Sequence, residues 1–449
     1  MIRMGLDTVL STKWTALFEN AVDAYTKALY WADQESHARE TAAIVFHDLI
    51  SQFHADQSEA LDVLKESLRG EDVIRRNTAA RLLVELSAPE AIACLIADLD
   101  RHTVPPLETT VLKQLNLESP HREVIWRELQ NFTPFEQVAI LESLLRNPND
   151  VALKFIMQKI IDGDSSMTNN VIVKALARWG RDDLLWRITN GHPASVNQNI
   201  PYWLMADMRL EAAFYLGLGG DQNAVDFLQA IAEGSDSMQA AQAVIRLAWL
   251  ACPGAIAPIK ALLIGTDVYA MGMALNATSV LSCAALGPTL LELASRLAPS
   301  EPGFGTPPLS DEAIRVLGKM TGQALPEHIV EYSVGIIPDT FTEATRLKAV
   351  SYFSEAIQKL NPAWRFYHGE LITLTHLVGD LLSPHDGPKR TAAYNLRAIT
   401  GEDYGYDPDL DLIANLPAIA AWRARAKRVD PLKTSGWAFA GVPIPGPKL

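Results

Sequence analysis

Between residues 400 and 412 the chain reads TGEDYGYDPDLDL, which sets Glu402, Asp403, Asp407, Asp409 and Asp411 in one short, turn-rich stretch. Carboxylates at this density are the raw material of a calcium site. A calcium loop, however, needs acids at alternate positions, Gly at the sixth and a bidentate Glu at the twelfth. Counted from Asp407, the sixth position is Leu412 and the twelfth is Ala418, so both requirements fail. Aspartates beside Gly405 and Pro408 suit turns and helix caps instead. The following DPDLDLIANLPAIAAWRARAKR predicts an amphipathic helix whose acidic start and basic end suit its dipole. The stretch is read as a connector that leaves a helix, and no metal ligand is assigned.

The other residues capable of chemistry are dispersed. The ten histidines include no pair at the spacing of a helical zinc motif; His47 and His54 are among the closest. GLGGDQ at 217–222 puts Gln222 where a dinucleotide fingerprint needs its third glycine, and neither a phosphate-loop G-K-[ST] nor a G-x-S-x-G elbow occurs. Cys94, Cys252 and Cys283 lie in apolar contexts without C-x-x-C spacing, which suits buried thiols in a reducing compartment. Adjacent acids such as Asp182 and Asp183 are ordinary at helix starts. No catalytic residue and no cofactor are expected.

These residues must be positioned by a chain rich in core formers: 48% of its 449 residues are hydrophobic and 20% charged. The formal charge of −14 is uneven, since residues 1–150 carry 14 Lys and Arg against 24 Asp and Glu. No segment offers the basic stripe that binding to phosphate backbones requires, so nucleic acid is not expected as a partner. The start of the chain, with Asp7 and Lys13 interrupting its apolar residues, lacks the pattern of a secretory signal, and a cytoplasmic location is expected. Val268 to Leu291 contains no charge and is long enough to span a bilayer. Asn276, Thr278, Ser279 and Ser282 dilute it and Gly287-Pro288 interrupts it, which predicts two shorter buried helices and no membrane span.

The organising pattern is a repeat. Residues 209–234 align with 241–265 at an offset of 31, pairing Ala212 with Ala243, Phe214 with Ile245, Leu216 with Leu247, Ala224 with Ala255, Leu228 with Ile259 and Ala230 with Ala261. Each unit reads as two amphipathic helices around a short turn. A second internal likeness, AIRVLGKMTG (313–322) with AAYNLRAITG (392–401), predicts two helices that stop at Gly322 and Gly401. One helical hairpin cannot bury its own apolar face, so neighbours must stack. The units resemble HEAT-like repeats of the short bacterial kind related to phycobiliprotein-lyase repeats. The pattern is clearest in Arg76, Ala79, Ala80, Leu83, Pro89, Glu90, Ala91, Ile92 and Leu95. LRAITGEDYGYDP followed by AIAAWRARA also resembles the terminal cap of such proteins. The resemblance implies an all-α, HEAT-like α-solenoid, and it carries no function with it.

The expected organisation is an N-terminal array over 1–298, a Pro/Gly-rich loop or hinge at 299–310, C-terminal repeats and cap over 311–429, and a Pro-rich tail at 430–449. The tail's prolines exclude regular helix, while Trp437 and Phe439 are too apolar to stay in water. It is expected to lie extended across the last helices or to dock on a partner. Function is expected to be non-catalytic binding of a protein partner, as scaffold, adaptor or inhibitor-like protein. The acidity of the N-terminal third points to a basic partner face met by Glu59, Asp62, Glu66, Glu71 and Asp72. The alternatives are a lyase-type enzyme or cofactor-handling protein and, less favoured by charge, a nucleic-acid binder.

Overall fold

The structure, a computed structural model, describes residues 2–29, 36–55, 57–86, 138, 141–142, 144–145, 152–154, 166–191, 202–296, 308–329 and 341–447. The described chain is all-α, with only two two-residue hairpins as sheet. It divides into two compact units, one of residues 1–179, 382–389 and 405–421, the other of 180–381, 390–404 and 422–449.

In the first unit, α1 (Ile2–Leu29) packs on α2 (Ser36–Ala55), α3 (Gln57–Leu68) and α4 (Val73–Leu86). Its core interleaves Trp14, Phe18 and Tyr25 of α1 with Phe46 and Phe53 of α2, Leu64 of α3 and Leu83 of α4. Trp14 meets Phe53 at 5.6 Å between ring centroids, and Tyr25 meets Phe46 at 5.3 Å. The small Ala79 and Ala80 let α4 approach its neighbours. Arg76, Ala79, Ala80 and Leu83 of the repeat pattern are all buried, whereas Pro89 to Leu95 lie outside the described residues. This unit also contains α5 (Ser166–Arg178).

The second unit holds α6 (Asp182–Thr189), α7 (Tyr202–Leu218), α8 (Gln222–Ala232), α9 (Ser237–Trp249), α10 (Ile256–Ile264), α11 (Val268–Leu281), α12 (Gly287–Ser295), α13 (Leu309–Thr321), α14 (Glu343–Gln358) and α15 (Leu374–Asp380). Successive neighbours run α7, α9, α11, α13 in one series and α10, α12, α14 in another, and α7 with α8, α9 with α10 and α12 with α13 pack side by side. The predicted loop at 299–310 lies largely outside the described residues, and the helices flanking it, α12 and α13, pack on each other. Two further helices, α16 (Asp386–Thr400) and α17 (Leu412–Arg428), follow.

The offset of 31 recurs in backbone detail. Gly220, Ala251 and Ser282, each 31 residues apart, all take positive φ, at 91°, 52° and 49°. The amide after the first, Asp221, donates to Leu216 O, and the amide after the second, Cys252, donates to Leu247 O, again 31 apart. This is the left-handed helix stop, adopted twice by residues that are not glycine. Asp236 and Asp267 cap α9 and α11 in the same register. Even solvent exposure repeats: Ala224 and Ala255 are buried, Ala230 and Ala261 exposed. The second likeness holds too, since Gly322 and Gly401 end α13 and α16 at φ 68° and 69°.

The uncharged 268–291 segment forms two helices, but the chain breaks at Ser282 and not at Gly287-Pro288; proline within the first turn starts α12 because that position needs no N–H. Among the described residues no helix is long and apolar enough to cross a membrane. The tail likewise differs in detail from an extended strand. Pro431–Thr434 is a 3-10 turn capped by Asp430, followed by the hairpin of Ala438–Phe439 with Val442–Pro443.

A polar junction closes the second unit. Arg365, fully buried, donates from Nε to Leu281 O at 2.9 Å and from one terminal nitrogen to Asn395 Oδ1 at 2.6 Å. Asn395 Nδ2 in turn donates to Trp249 O at 2.9 Å and Ala248 O at 3.3 Å. One guanidinium and one amide thus satisfy the last carbonyls of α9 and α11, which end 32 residues apart. The Trp437 ring covers the guanidinium at 5.4 Å, and its Nε1–H donates to Ala363 O at 2.7 Å. Burial pushes the Arg365 pKa down to about 10. Asn395→Ala removes three of these bonds and leaves a buried Arg365 nitrogen and the Trp249 carbonyl without those partners, and it should destabilise the protein by at least about 2 kcal/mol. A lowered urea midpoint is the expected result, and an unchanged midpoint would refute the role given to Asn395.

Candidate functional site

The acidic stretch is fully committed to protein partners. In the second unit, Glu402 accepts from Arg425 Nε at 2.9 Å and from the Tyr404 hydroxyl, and Asp403 pairs with Arg397 at 2.8 Å. In the first unit, Asp407 is paired with Lys174 at 3.2 Å and with Arg178, and Asp409 with Lys174. Asp411 holds the fully buried Arg81 at 2.9 Å while its other oxygen accepts from Ala414 N at 2.8 Å, capping α17. Asn415 closes the turn, accepting from Asp407 N and donating to Asp407 O, both at 2.9 Å. Among the described residues no cluster of three or more His, Cys, Asp or Glu is arranged to hold a metal ion.

Electrostatics follow from this geometry. Burial pushes the Asp407 carboxyl up, but Lys174 and Arg178 outweigh it and hold the group below its usual range. Burial likewise pulls Lys174 down, and Asp407 with Asp409 overcomes that to raise it. Sequence reading identified the acids and missed their bases. The available signal was Lys174 and Arg178, four residues apart in the otherwise apolar VIVKALARW, where two cations on one face need carboxylates.

The residues proposed to meet a partner fall into two groups. Asp62, Glu66, Glu71 and Asp72 are exposed, on α3 and the turn after it; Glu59 lies on α3, and its side chain is outside the described residues. Among the described residues no ion pair engages Asp62, Glu66 or Glu71, whereas Asp72 has a structural task. Its Oδ1 accepts from Ile74 N at 2.9 Å and Arg75 N at 3.1 Å, capping α4. In the tail, Trp437 is fully buried over Arg365 and Phe439 is half-buried, with Ala440 N and Gly441 N donating to Ala398 O and Ile399 O at 2.8 Å. The Trp437 ring therefore belongs to the interior of the second unit.

A concave site sits beside α13, with a volume of about 540 Å³. Its floor is apolar, from Ile314, Leu325, Phe341 and Phe353, and its rim carries Arg315, Lys319 and His368. Arg315 and Lys319 stand four residues apart on one face of α13. Arg315 pairs with Glu312 at 3.1 Å and lies 5.8 Å from the Phe341 ring, while Lys319 Nζ makes long contacts of 3.4 and 3.5 Å to Ser279 Oγ and O. His368 tips the hairpin of Phe366–Tyr367 with Glu370–Leu371, at φ 49°. The tip docks on the end of α13 through Gly369 N to Met320 O at 3.1 Å, and any side chain on Gly322 would collide with the His368 carbonyl.

Behind the rim, the Tyr367 hydroxyl donates to Asp380 Oδ1 at 2.5 Å and its ring stacks on His376 at 4.9 Å. Burial raises the Asp380 carboxyl and, with the Asp380 bond, raises Tyr367 far above the usual phenol range. Desolvation lowers Lys319. The sequence signal for this site was a departure from internal likeness. Seventy-nine residues on, where α13 has Arg315 and Lys319, α16 has Tyr394 and Ala398. No protein-family model matches the chain, and no curated protein matches it.

Two outcomes follow for the acidic stretch. Asp407, depressed in the folded state, contributes stability that is present above its unfolded pKa of about 3.9 and lost as pH falls through the folded value. Lys174→Met should therefore destabilise the protein near neutral pH, and the difference from wild type should shrink below about pH 4. A difference that stays constant with pH in urea titrations would contradict this. Added calcium should leave the melting temperature unchanged, because a ligand binding only the folded state must raise it.

Proposed function

We propose that the chain is a HEAT-like α-solenoid that acts without catalysis, by binding a protein partner with a basic contact face. The supporting observation is a set of exposed large apolar side chains at the turns between repeated hairpins of the second unit. Met238 and Tyr269, 47% and 40% exposed, occupy the same position in α9 and α11, 31 residues apart and two residues after the capping aspartates. The Ser237 hydroxyl donates to Asp267 at 2.5 Å, tying one turn to the next, and Ile264 at the end of α10 is 53% exposed. Isolated exposed apolar residues are ordinary on a protein surface. Repetition at matched turns is the display by which stacked hairpins vary a binding surface without disturbing their core.

The charge of the partner is argued from the first unit. Asp62 and Glu66 lie one turn apart on the exposed face of α3, Glu71 and Asp72 follow, and exposed Val73 adjoins them. A basic surface meeting this segment gains chiefly in rate of encounter, because each exposed pair contributes only about 0–1 kcal/mol. The free thiols of Cys252 and Cys283, both pushed up to about 11 by burial, are inert at neutral pH and accord with a reducing, cytoplasmic setting.

With a partner isolated by affinity capture and confirmed with purified components, its association rate should fall several-fold between roughly 50 and 300 mM salt. Neutralising Asp62, Glu66 and Glu71 together should flatten that dependence. Met238→Ser with Tyr269→Ser should speed dissociation instead. A salt-independent rate, or binding untouched by both sets, would overturn the reading.

A further inference from the structure

The cleft beside α13 joins an apolar floor to a cationic rim on elements that are tightly held. Its volume of about 540 Å³ falls within the range of roughly 300–1,000 Å³ usual for small-molecule sites. Ile314, Phe341 and Phe353 are buried side chains of the core, so the floor is preformed. The rim is accessible: Lys319 and His368 are exposed and Arg315 is half-buried. Such a site favours a ligand with one negative end and one apolar end.

Nothing in the repeat accounts for this arrangement. A helix end that only needed to stop would require Gly322 alone, yet here Gly322 and Gly369 face each other so that the hairpin can lodge against α13. That contact holds His368 in a left-handed conformation that a non-glycine residue adopts at some cost. Three acids stand near the rim cations, and the buried Asp311 is turned to Phe341 N and Arg346. Glu312 is paired with Arg315, and Asp380 is turned to the Tyr367 hydroxyl. Among the described residues Lys319 Nζ is held only by its long contacts to Ser279, both near the limit of hydrogen-bond length.

We propose that this cleft binds a small organic carboxylate with an apolar body, its carboxylate between Lys319 and Arg315 and its body on Leu325 and Phe341. The guanidinium supplies paired donors, the ammonium a movable point charge, and His368 Nδ1 or Nε2 a further donor. A neutral molecule of the same shape would keep the floor and lose the rim. Inorganic phosphate would keep the rim and lose the floor. The site is independent of the protein-binding surface proposed above, which uses neither α13 nor the hairpin.

Calorimetric titration of the intact chain with 4-phenylbutyrate, 4-phenylbutanol and inorganic phosphate tests the assignment. Phenylbutyrate should bind at one site with Kd of about 1 mM or tighter, and the alcohol and phosphate at least about tenfold more weakly. Lys319→Met should weaken phenylbutyrate about tenfold, and Arg315→Gln should weaken it several-fold, with the urea midpoint measured alongside to check that the fold is kept. Glu312→Gln should tighten it, because Arg315 is released from a competing carboxylate. A purely structural pair would not give that sign. Lys389→Met, outside the cleft, should leave affinity unchanged. No binding of phenylbutyrate, equal binding of acid and alcohol, or equal affinities in wild type, Arg315→Gln and Glu312→Gln would overturn the proposal.

Discussion

The second unit depends on how the ends of its helices are satisfied away from water. Helices that stack side by side bring their last carbonyls into one buried row, and each carbonyl needs a donor. Left-handed stops at Gly220, Ala251 and Ser282 turn the chain back but leave carbonyls over. Arg365 and Asn395 fill that row for α9 and α11, and they bond each other. The segment carrying Arg365 also runs along the same ends, with Phe366 N donating to Ser282 O at 2.8 Å and Ala284 N donating to Trp364 O at 3.1 Å. Trp437 then seals the guanidinium, so residues near the end of the chain are needed to complete a core begun near residue 210.

Because of that dependence, what could be read from sequence divides by distance along the chain. Local features were legible: the offset of 31, the stops at Gly322 and Gly401, and the basic end of α17 all rest on contacts within one or two helices. The junction was not legible, because Arg365 and Asn395 reach carbonyls 84 and 146–147 residues away. Isolated in sequence, a lone Arg or Asn carries no mark of burial; both residue types are usually exposed. Trp437 illustrates the same limit. Its apolar character announced that it must be covered, and only the fold shows that an arginine lies beneath it.

The acidic stretch shows why residue type alone is a poor guide to chemistry. Five carboxylates in thirteen residues could ligate a cation, and in fact they meet cations, but ones supplied by Arg81, Lys174, Arg178, Arg397 and Arg425. A buried carboxylate left alone would be costly, and removing one partner of a buried pair is more damaging than never having had the pair. Arg81 is shared between Asp411 and Glu85 of its own helix, so loss of Asp411 would leave the buried guanidinium with one carboxylate instead of two. The spacing rule for calcium loops tests geometry, whereas composition by itself suggests a metal, and the carboxylates are turned to protein cations.

Repetition offers a way to separate residues that build the fold from residues that use it. Where two internally similar segments agree, as Leu317 with Leu396 and Thr321 with Thr400 do, the shared residue serves the helix: both leucines are fully buried, and both threonines bond back to the carbonyl four residues earlier. Where they disagree, packing has released the position. Tyr394 joins Phe214 and Trp249 in an aromatic cluster, at 4.9 and 5.6 Å, so its departure is again structural. Arg315 and Lys319 depart in the other direction, toward solvent and around an apolar hollow, where no core demand explains two cations on one face. The contrast marks the rim of that cleft, where Arg315 pairs with Glu312 and Lys319 reaches Ser279, as the part of α13 that does not follow the shared helix pattern.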